Sequence, residues 1–511
     1  MDNLKKTDVQ KMQQPDWAKG AILYQMIVDR FYKSPSHHKN LIKGRIYRNK
    51  WNDEEVTWQP NEHGLFHNND FFCGDLQGII KKLPYLSKLG VSVLYLSPIN
   101  YSKYRYDRYA ATDHKMIDPD AGNFTDLKNL HDEAKKNGMH IILDVAFNHC
   151  CTDNPIFVDA FSNPNSKYYD WFRRDEEKNI KLWYNFRDMP EFNQSSVGYQ
   201  NYVYGDGGII DTYSPYVDGF RLDLAEILEP SFLEGIRNCA NKKSPHFILG
   251  EFWHDAPNDY FGKSLDSVTA YPISNAILKF LVFNEADYLI SIVKNYQKMY
   301  PQSVLDSLIV SLDTHDTIRA LTMLGKKQYM MRGLRDIWDI DKEPSPWHKD
   351  GTFDTYDFRK FEFDNDSLSP EEYKEAKKLL KLGVILQYFL LGSPCIYYGT
   401  EVGLYGFKDP FSRKPFPWNH MDTELLKYYR GIGKFRASLN LNGAKTEIVS
   451  YDSESLVFVR HSVNSVLVAV NNGNSSRVIT IPDEFKAGKM FSFNVNGNAI
   501  LLPYGALVIA I

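Results

Sequence analysis

Eight short apolar runs recur along the chain between amphipathic stretches: ILYQMIV (22–28), VSVLYLSP (91–98), HIILDVAF (140–147), VDGFRLDL (217–224), HFILGEF (246–252), SVTAYPI (267–273), SLIVSLD (307–313) and CIYYGTEV (395–402). Apolar on both faces of the two-residue strand period, they read as parallel strands covered by helices. The intervening segments carry helical signals. FTDLKNLHDEAKKNG (124–138) puts Leu127, Leu130 and Ala134 on one face and stops at Gly138. Ser369-Pro370-Glu371-Glu372 supplies an N-cap, a proline in the first turn and a capping-box glutamate ahead of YKEAKKLLKLGVILQYFLLG. Eight strand–helix units predict an α/β fold of the (β/α)8 TIM-barrel type.

Two stretches depart from that repeat. Residues 151–216 are long, aromatic and polar, with few helical periods, and read as a small insertion domain after the third strand. Past Leu441 the pattern changes to alternation broken by Asn/Gly turns (SLVFVR, SVLVAVNNG, RVITIPD, KMFSFNVNGN, AILLPYGALVIAI), which predicts a C-terminal antiparallel β-domain. The expected division is therefore barrel at 1–150, insertion at 151–216, barrel again at 217–438, closed by a helix around 423–437, and a β-sandwich at 439–511.

Charges inside the apolar runs are the first hint of chemistry. In VDGFRLDLAE (217–226), Arg221 and Asp223 share one strand face while Phe220, Leu222 and Leu224 share the other. A structural ion pair and a catalytic pair account for that motif about equally well. Three more strand ends carry polar groups: Asp144, Asn148 and His149 after the third run, Glu251 after the fifth, and His315 and Asp316 in LDTHD after the seventh. Barrel enzymes draw their reactive groups from those ends. Four such ends disfavour a purely structural account, because each unpaired buried charge costs several kcal/mol.

Composition narrows the classes. With 511 residues, 43% hydrophobic and 24% charged, the chain is an ordinary globular protein able to bury a large core, and its formal charge of -4 offers no footprint for nucleic acid. No apolar h-region lies in the first twenty residues and no later stretch is long enough to span a membrane, so a cytoplasmic location without membrane attachment is expected. Five cysteines (Cys73, Cys150, Cys151, Cys239, Cys395), without C-x-x-C spacing, read as reduced thiols. Aromatic content of 14% suits sugar stacking as well as core packing.

Three chemistries suit carboxylates, histidines and an arginine at strand ends. A di-metal hydrolase wants H-x-H spacing, which is missing. Phosphate chemistry wants a glycine-rich loop, for which GDGG (205–208) lacks the following lysine and helix. Paired carboxylates acting on an acetal remain, one as nucleophile and one as proton donor.

The motifs DVAFNH (144–149), MPEFN (189–193), GFRLDLAE (219–226), GEFWHDA (250–256) and LDTHD (312–316), with FFCGDLQGI (71–79), resemble in order those of the α-amylase family of glycoside hydrolases. GEFWHDA and MPEFN lean toward its neopullulanase and cyclomaltodextrinase branch, although only about twenty residues precede the first strand, so the N-terminal β-domain through which that branch dimerises is not expected. Oligomeric state stays open. The resemblance implies a retaining hydrolase of short α-1,4-glucans, or a transglycosylase with the same active site. A third class, barrel proteins serving as transporter subunits, carries a membrane span that is absent here.

The same resemblance implies roles. Asp223 would be the nucleophile, Glu251 the general acid and then base, with a pKa raised by neighbouring carboxylates, and Asp316 the clamp on the sugar 2- and 3-hydroxyls. Arg221 would keep Asp223 ionised. Tyr109, four residues before Asp113, matches the stacking tyrosine, with Tyr106 a rival. His149 and His315 would donate to hydroxyls, and Glu226, Trp253 and Arg413 join the substrate-binding expectation. Glu226 stands where starch-liquefying relatives have a lysine, and Ala110 where relatives carry a larger or acidic residue. The insertion from Lys326 to Ser369, with Trp338 and Trp347, reads either as lining leaving-group subsites or as surface packing. No cofactor is expected. The branch's structural calcium loop is not expected either, since Lys33, Pro35, His37 and His38 follow Asp29-Arg30-Phe31 where oxygen ligands are needed, leaving Asp75.

Overall fold

A computed structural model describes residues 14–35, 41–51, 68–186, 188–327, 367–497 and 499–511. Eight parallel strands form its centre: β1 (Leu23–Met26), β2 (Val93–Leu96), β3 (His140–Val145), β4 (Gly219–Leu222), β5 (Phe247–Gly250), β6 (Ser267–Val268), β7 (Ile309–Ser311) and β8 (Ser393–Tyr397). They pair in the order β6-β5-β4-β3-β2-β1-β8-β7, and a parallel bridge between Thr269 and Ile309 joins the two ends. Every expected strand is present.

Helices cover the outside: α1 (Leu76–Ser87), α2 (Phe124–Lys136), α3 (Pro230–Ala240), α4 (Tyr271–Phe283), α5 (Ala286–Met299), α6 (Ala320–Gly325), α7 (Pro370–Phe389) and α8 (Thr423–Ala437). Their limits follow the chain's own stop signals. Asn123 caps α2 through the amides of Thr125 and Asp126, and Gly138 takes φ 68° just past its end. Ser369 and Glu372 close a reciprocal capping box at α7. Two expected strands run differently. SVTAYPI is extended only at Ser267–Val268, because Pro272, suited to a first helical turn, lets α4 begin at Tyr271. CIYYGTEV starts two residues early and stops at Tyr397, ahead of Gly399 and Gly403, both in the left-handed region.

Alternation sorts the strand side chains into two cores. Tyr24, Met26, Leu94, Leu96 and Leu143 pack under the helices, while Leu23, Val93, Tyr95, Ile142, Phe247, Leu249, Ile309 and Cys395 fill the barrel interior, closed below by Trp17. Between β3 and β4, residues 155–162, 197–204 and 209–213 are helical, so a short helix does follow GDGG, and the remainder is largely turns and bridges.

The C-terminal antiparallel sheet comprises β9 (Lys445–Asp452), β10 (Ser455–His461), β11 (Val466–Asn471), β12 (Arg477–Val478), β13 (Lys489–Asn496) and β14 (Ile500–Ala510). Its order is β9-β10-β11-β14-β12, with β13 also on β14. Polar contacts tie it to helix ends of the barrel. Arg460 donates to the Phe389 carbonyl and Thr446 to that of Leu390, both at the end of α7, and Asn472 donates to those of Phe280 and Leu281 in α4. Those donors reach carbonyls at or next to the last turn of each helix, where intrahelical partners run out. No disulfide joins the five cysteines, and among the described residues no helix is long and apolar enough to cross a membrane.

Candidate active site

Inward positions of the barrel turn from apolar to polar toward the carboxyl ends of the strands. Leu23 is followed on its face by Gln25, Val93 by Tyr95, Ile142 by Asp144, Gly219 by Arg221 and Leu249 by Glu251. The site is thus a by-product of strand period and strand direction.

Arg221 is its hub. One terminal nitrogen of the guanidinium donates to both oxygens of Asp144 (2.8 and 2.9 Å) and to Asp223 Oδ1 (2.8 Å), and the other lies 2.6 Å from Glu251 Oε1. Glu251 Oε2 accepts the backbone N–H of Leu224 at 2.8 Å. Leu224 is bent to φ 50°, a left-handed conformation costly for a leucine, which aims that N–H at the neighbouring strand end. Asp144 also accepts from Tyr109 (2.6 Å) and Tyr95 (3.2 Å).

A second group faces this one. Tyr109 and His315 stack with centroids 5.0 Å apart and planes 5° from parallel. His315 Nε2 is 2.9 Å from Asp316 Oδ2, and Arg413 donates to Asp316 Oδ1 at 3.1 Å and to the His315 carbonyl at 2.8 Å. Arg413 continues to Asp107 (3.0 Å), which also meets Arg105. His149 stacks on Trp183, centroids 5.0 Å apart, and neither of its ring nitrogens has a hydrogen-bond partner among the described residues.

Electrostatics follow from one guanidinium among several acids. Burial pushes the Asp223 carboxyl well above its ordinary value; Arg221 opposes this, and Glu251 and Asp144 add to it. Glu251 is raised by burial too, with Arg221 opposing and Asp316 adding. The two therefore titrate as a pair that holds on to a proton as pH rises. Asp316 goes the other way: burial alone would raise it, but His315 and Arg413 outweigh burial and hold it below the usual carboxylate range. Burial lowers His149 to about 3, leaving a neutral ring.

The structure brings Asp223, Glu251, Asp316, Arg221, Tyr109, His315, His149 and Arg413 to one end of the barrel. Tyr106, the rival to Tyr109, is buried elsewhere with the Arg30 guanidinium 3.6 Å over its ring. Glu226 and Trp253 flank Glu251, the Glu226 amide donating to the Glu251 carbonyl at 3.2 Å. The Glu226 carboxylate accepts the Trp253 amide (2.8 Å) and pairs with His254 (2.9 Å), while the Trp253 ring stacks on Tyr271 at 4.4 Å. Trp338 and Trp347 lie outside the described residues. Gln25, Tyr95 and Asp107 join the site without having been expected. For the first two a signal existed, a polar group at an inward position of an apolar strand.

Beside β1, potential metal ligands are already engaged. Asp29 accepts the amides of Phe72 and Cys73 (3.0 and 2.9 Å) and pairs with Arg30 (2.8 Å), which also meets Asp70. Asp75 caps α1 through the Gly78 amide and takes the Ser34 hydroxyl. Lys33 and Pro35 follow in the same loop, and His37 and His38 lie outside the described residues. These donors do not suit a calcium ion, which wants about six to eight oxygens free of cationic neighbours.

Residues 25–337 match the family model described as alpha amylase, catalytic domain. The chain is 29% identical over 94% of its length to an amylopullulanase of Thermoanaerobacterium saccharolyticum, of which it spans only 40%. It is also 29% identical over 92% of its length to a cyclomaltodextrinase of a Bacillus species, of which it spans 76%. The fold matches that of the cyclic alpha-maltosyl-(1-->6)-maltose hydrolase of Arthrobacter globiformis, solved with that sugar, with a TM-score of 0.75 at 23% identity over 98% of this chain and all of the other.

Proposed function

The chain belongs to the alpha-amylase family, and on that premise we propose that it is a retaining glycoside hydrolase cleaving α-1,4-glucosidic bonds of maltooligosaccharides or related short α-glucans. One observation carries the reading: a single guanidinium, that of Arg221, holds Asp223 and Glu251 on its two terminal nitrogens. A shared clamp keeps the two carboxyls close, as a retaining pair about 5–5.5 Å apart requires, whereas an inverting pair must leave room for a water between them.

Asp223 attacks the anomeric carbon as the bond to the leaving oxygen breaks. Glu251 gives its proton to that oxygen, so the proton of the buried pair sits on Glu251 when sugar is bound. Water then loses a proton to Glu251 as its oxygen attacks the anomeric carbon and the bond to Asp223 breaks. Asp316, ionised and flanked by His315 and Arg413, accepts from the sugar's 2- and 3-hydroxyls more strongly as the ring flattens. Tyr109 and the neutral His149 bound the same ring. Two displacements invert twice. Proton NMR of fresh maltotriose digests should therefore show the α-anomer first, and initial β-product would exclude the covalent route.

A sugar hydroxyl in place of water would make the same site a transglycosylase, a reading favoured by the Trp253–Tyr271 stack beside Glu251, where an acceptor ring has an aromatic surface. Thin-layer separation of maltotriose products decides: glucose and maltose alone mean hydrolysis, longer oligomers mean transfer.

The proposed chemistry is carried by carboxylates and needs no metal. With Asp29, Asp70 and Asp75 engaged as described above, excess chelator is expected to leave both turnover and melting temperature unchanged. A loss of either that calcium restores would overturn this. Five cysteines with no disulfide between them support a reducing, cytoplasmic setting.

A further inference from the structure

Gln25 is the polar member of β1 and lies almost wholly buried at the base of the pocket. Its side-chain Nε2 is 2.9 Å from His315 Nδ1, and its Oε1 has no hydrogen-bond partner among the described residues. On the far side of the ring, His315 Nε2 meets Asp316 Oδ2 at 2.9 Å. A line of contacts thus runs from β1 through the imidazole to the carboxylate that clamps the sugar in the reading above.

The chemistry of the line allows few arrangements. An ionised carboxylate only accepts, so the nitrogen facing Asp316 must carry hydrogen. If the ring is neutral, its single proton is then on Nε2, and Nδ1 presents a lone pair that needs a donor. The Gln25 amide is that donor. We propose that Gln25 is a positioning residue that holds His315 as the Nε2–H tautomer and fixes the plane of its ring, so that His315 and Asp316 meet the sugar hydroxyls as one oriented unit. Ring orientation matters twice, because the same imidazole stacks flat on Tyr109. A histidine free to turn would lose the Asp316 contact and the stack together.

The assignment deepens the glycosidase reading and rests on it for its catalytic consequence, but the tautomer itself is observable without turnover. Neutron diffraction from hydrogen/deuterium-exchanged crystals of the wild-type protein should place deuterium on Nε2 of His315 and on the Gln25 amide facing a bare Nδ1. Deuterium on Nδ1 would overturn the proposal, whatever the enzyme does. Absence of activity on every α-glucan would instead sink the functional reading and leave the tautomer standing.

Kinetics supply the second arm. Q25M preserves volume and removes the donor, and kcat on maltotriose should fall by about tenfold or more with little change in KM, as for other partners that orient a reacting shell. Q25E restores the contact only after the added carboxyl or the ring takes up one more proton. Charged or titratable groups around that ring are Asp316, Glu251 across the pocket, Tyr109 on its face and Arg413 at its backbone. None of these residues is replaced in either variant, so the ratio of Q25E to Q25M turnover should rise as pH is lowered and the added carboxyl or the ring takes up a proton. A Q25M enzyme with wild-type kcat, or a ratio flat with pH, would show that Gln25 only fills space.

Discussion

Asp223→Asn is expected to lower turnover by about 10²-fold or more without loss of fold. The amide oxygen still accepts from Arg221, as Asp223 Oδ1 does at 2.8 Å, so the geometry of β4 survives while the nucleophile is gone. Stability should move in the opposite direction from activity. Three carboxyls crowd one guanidinium, and burial with mutual repulsion raises Asp223 well above its ordinary pKa. A carboxyl whose folded pKa exceeds its unfolded value contributes most when protonated and loses that contribution as pH rises through the folded pKa. Removing its charge should therefore leave the melting temperature unchanged below about pH 4 and raise it increasingly toward neutrality. Near-wild-type turnover in a carefully purified D223N protein would sink the nucleophile assignment, and a variant destabilised at pH 7 would sink the account of strain.

Much of this site was legible because barrel chemistry follows strand period and direction. Arg221 and Asp223 are two residues apart on one face, and Glu251 lies at the end of the next strand, so alternation alone placed all three at one rim. Gln25 and Tyr95 obey the same rule, sharing a face with Leu23 and Val93. They escaped notice because a single polar group in ILYQMIV or VSVLYLSP reads as tolerated packing until its partner is known, and the partner of Gln25 is 290 residues away. Asp107 is harder still. It sits in an irregular loop, its contact with Arg413 spans 306 residues, and no periodicity links the two.

Elsewhere the limit was local. The edge strand β9 has mostly exposed residues and only Thr446 buried, so it lacks the alternation that marked its neighbours. The resemblance put Glu226 among the substrate-binding residues. Its carboxylate also fastens the Trp253 amide and His254, a contact between two strand-end loops that spacing does not encode.

Arg221→Met carries the largest expected cost. The side chain is fully buried, methionine preserves much of its length, and what disappears is, among the described residues, the one cation paired with Asp144, Asp223 and Glu251 together. Breaking one buried pair costs about 3–5 kcal/mol because the remaining charge is stranded, and here three acids are stranded at once. Urea unfolding at pH 7 should show at least that loss, and turnover should drop on the order of 10²-fold or more, since Asp223 is then neither ionised nor aimed. The pH dependence identifies the cause. Without the guanidinium, burial loses its main opponent, and Asp223 and Glu251 move further above their ordinary values. The deficit should be smallest below about pH 4, where Asp223 and Glu251 are protonated in both states, and grow as pH rises. Arg221→Lys separates charge from geometry: one ammonium restores part of the stability but has no planar fork to hold Asp223 and Glu251 on two nitrogens, so turnover should stay low. A methionine variant equally stable at pH 4 and pH 7 would mean that the three carboxylates draw their compensation from elsewhere, and Arg221 would cease to be the hub of the site.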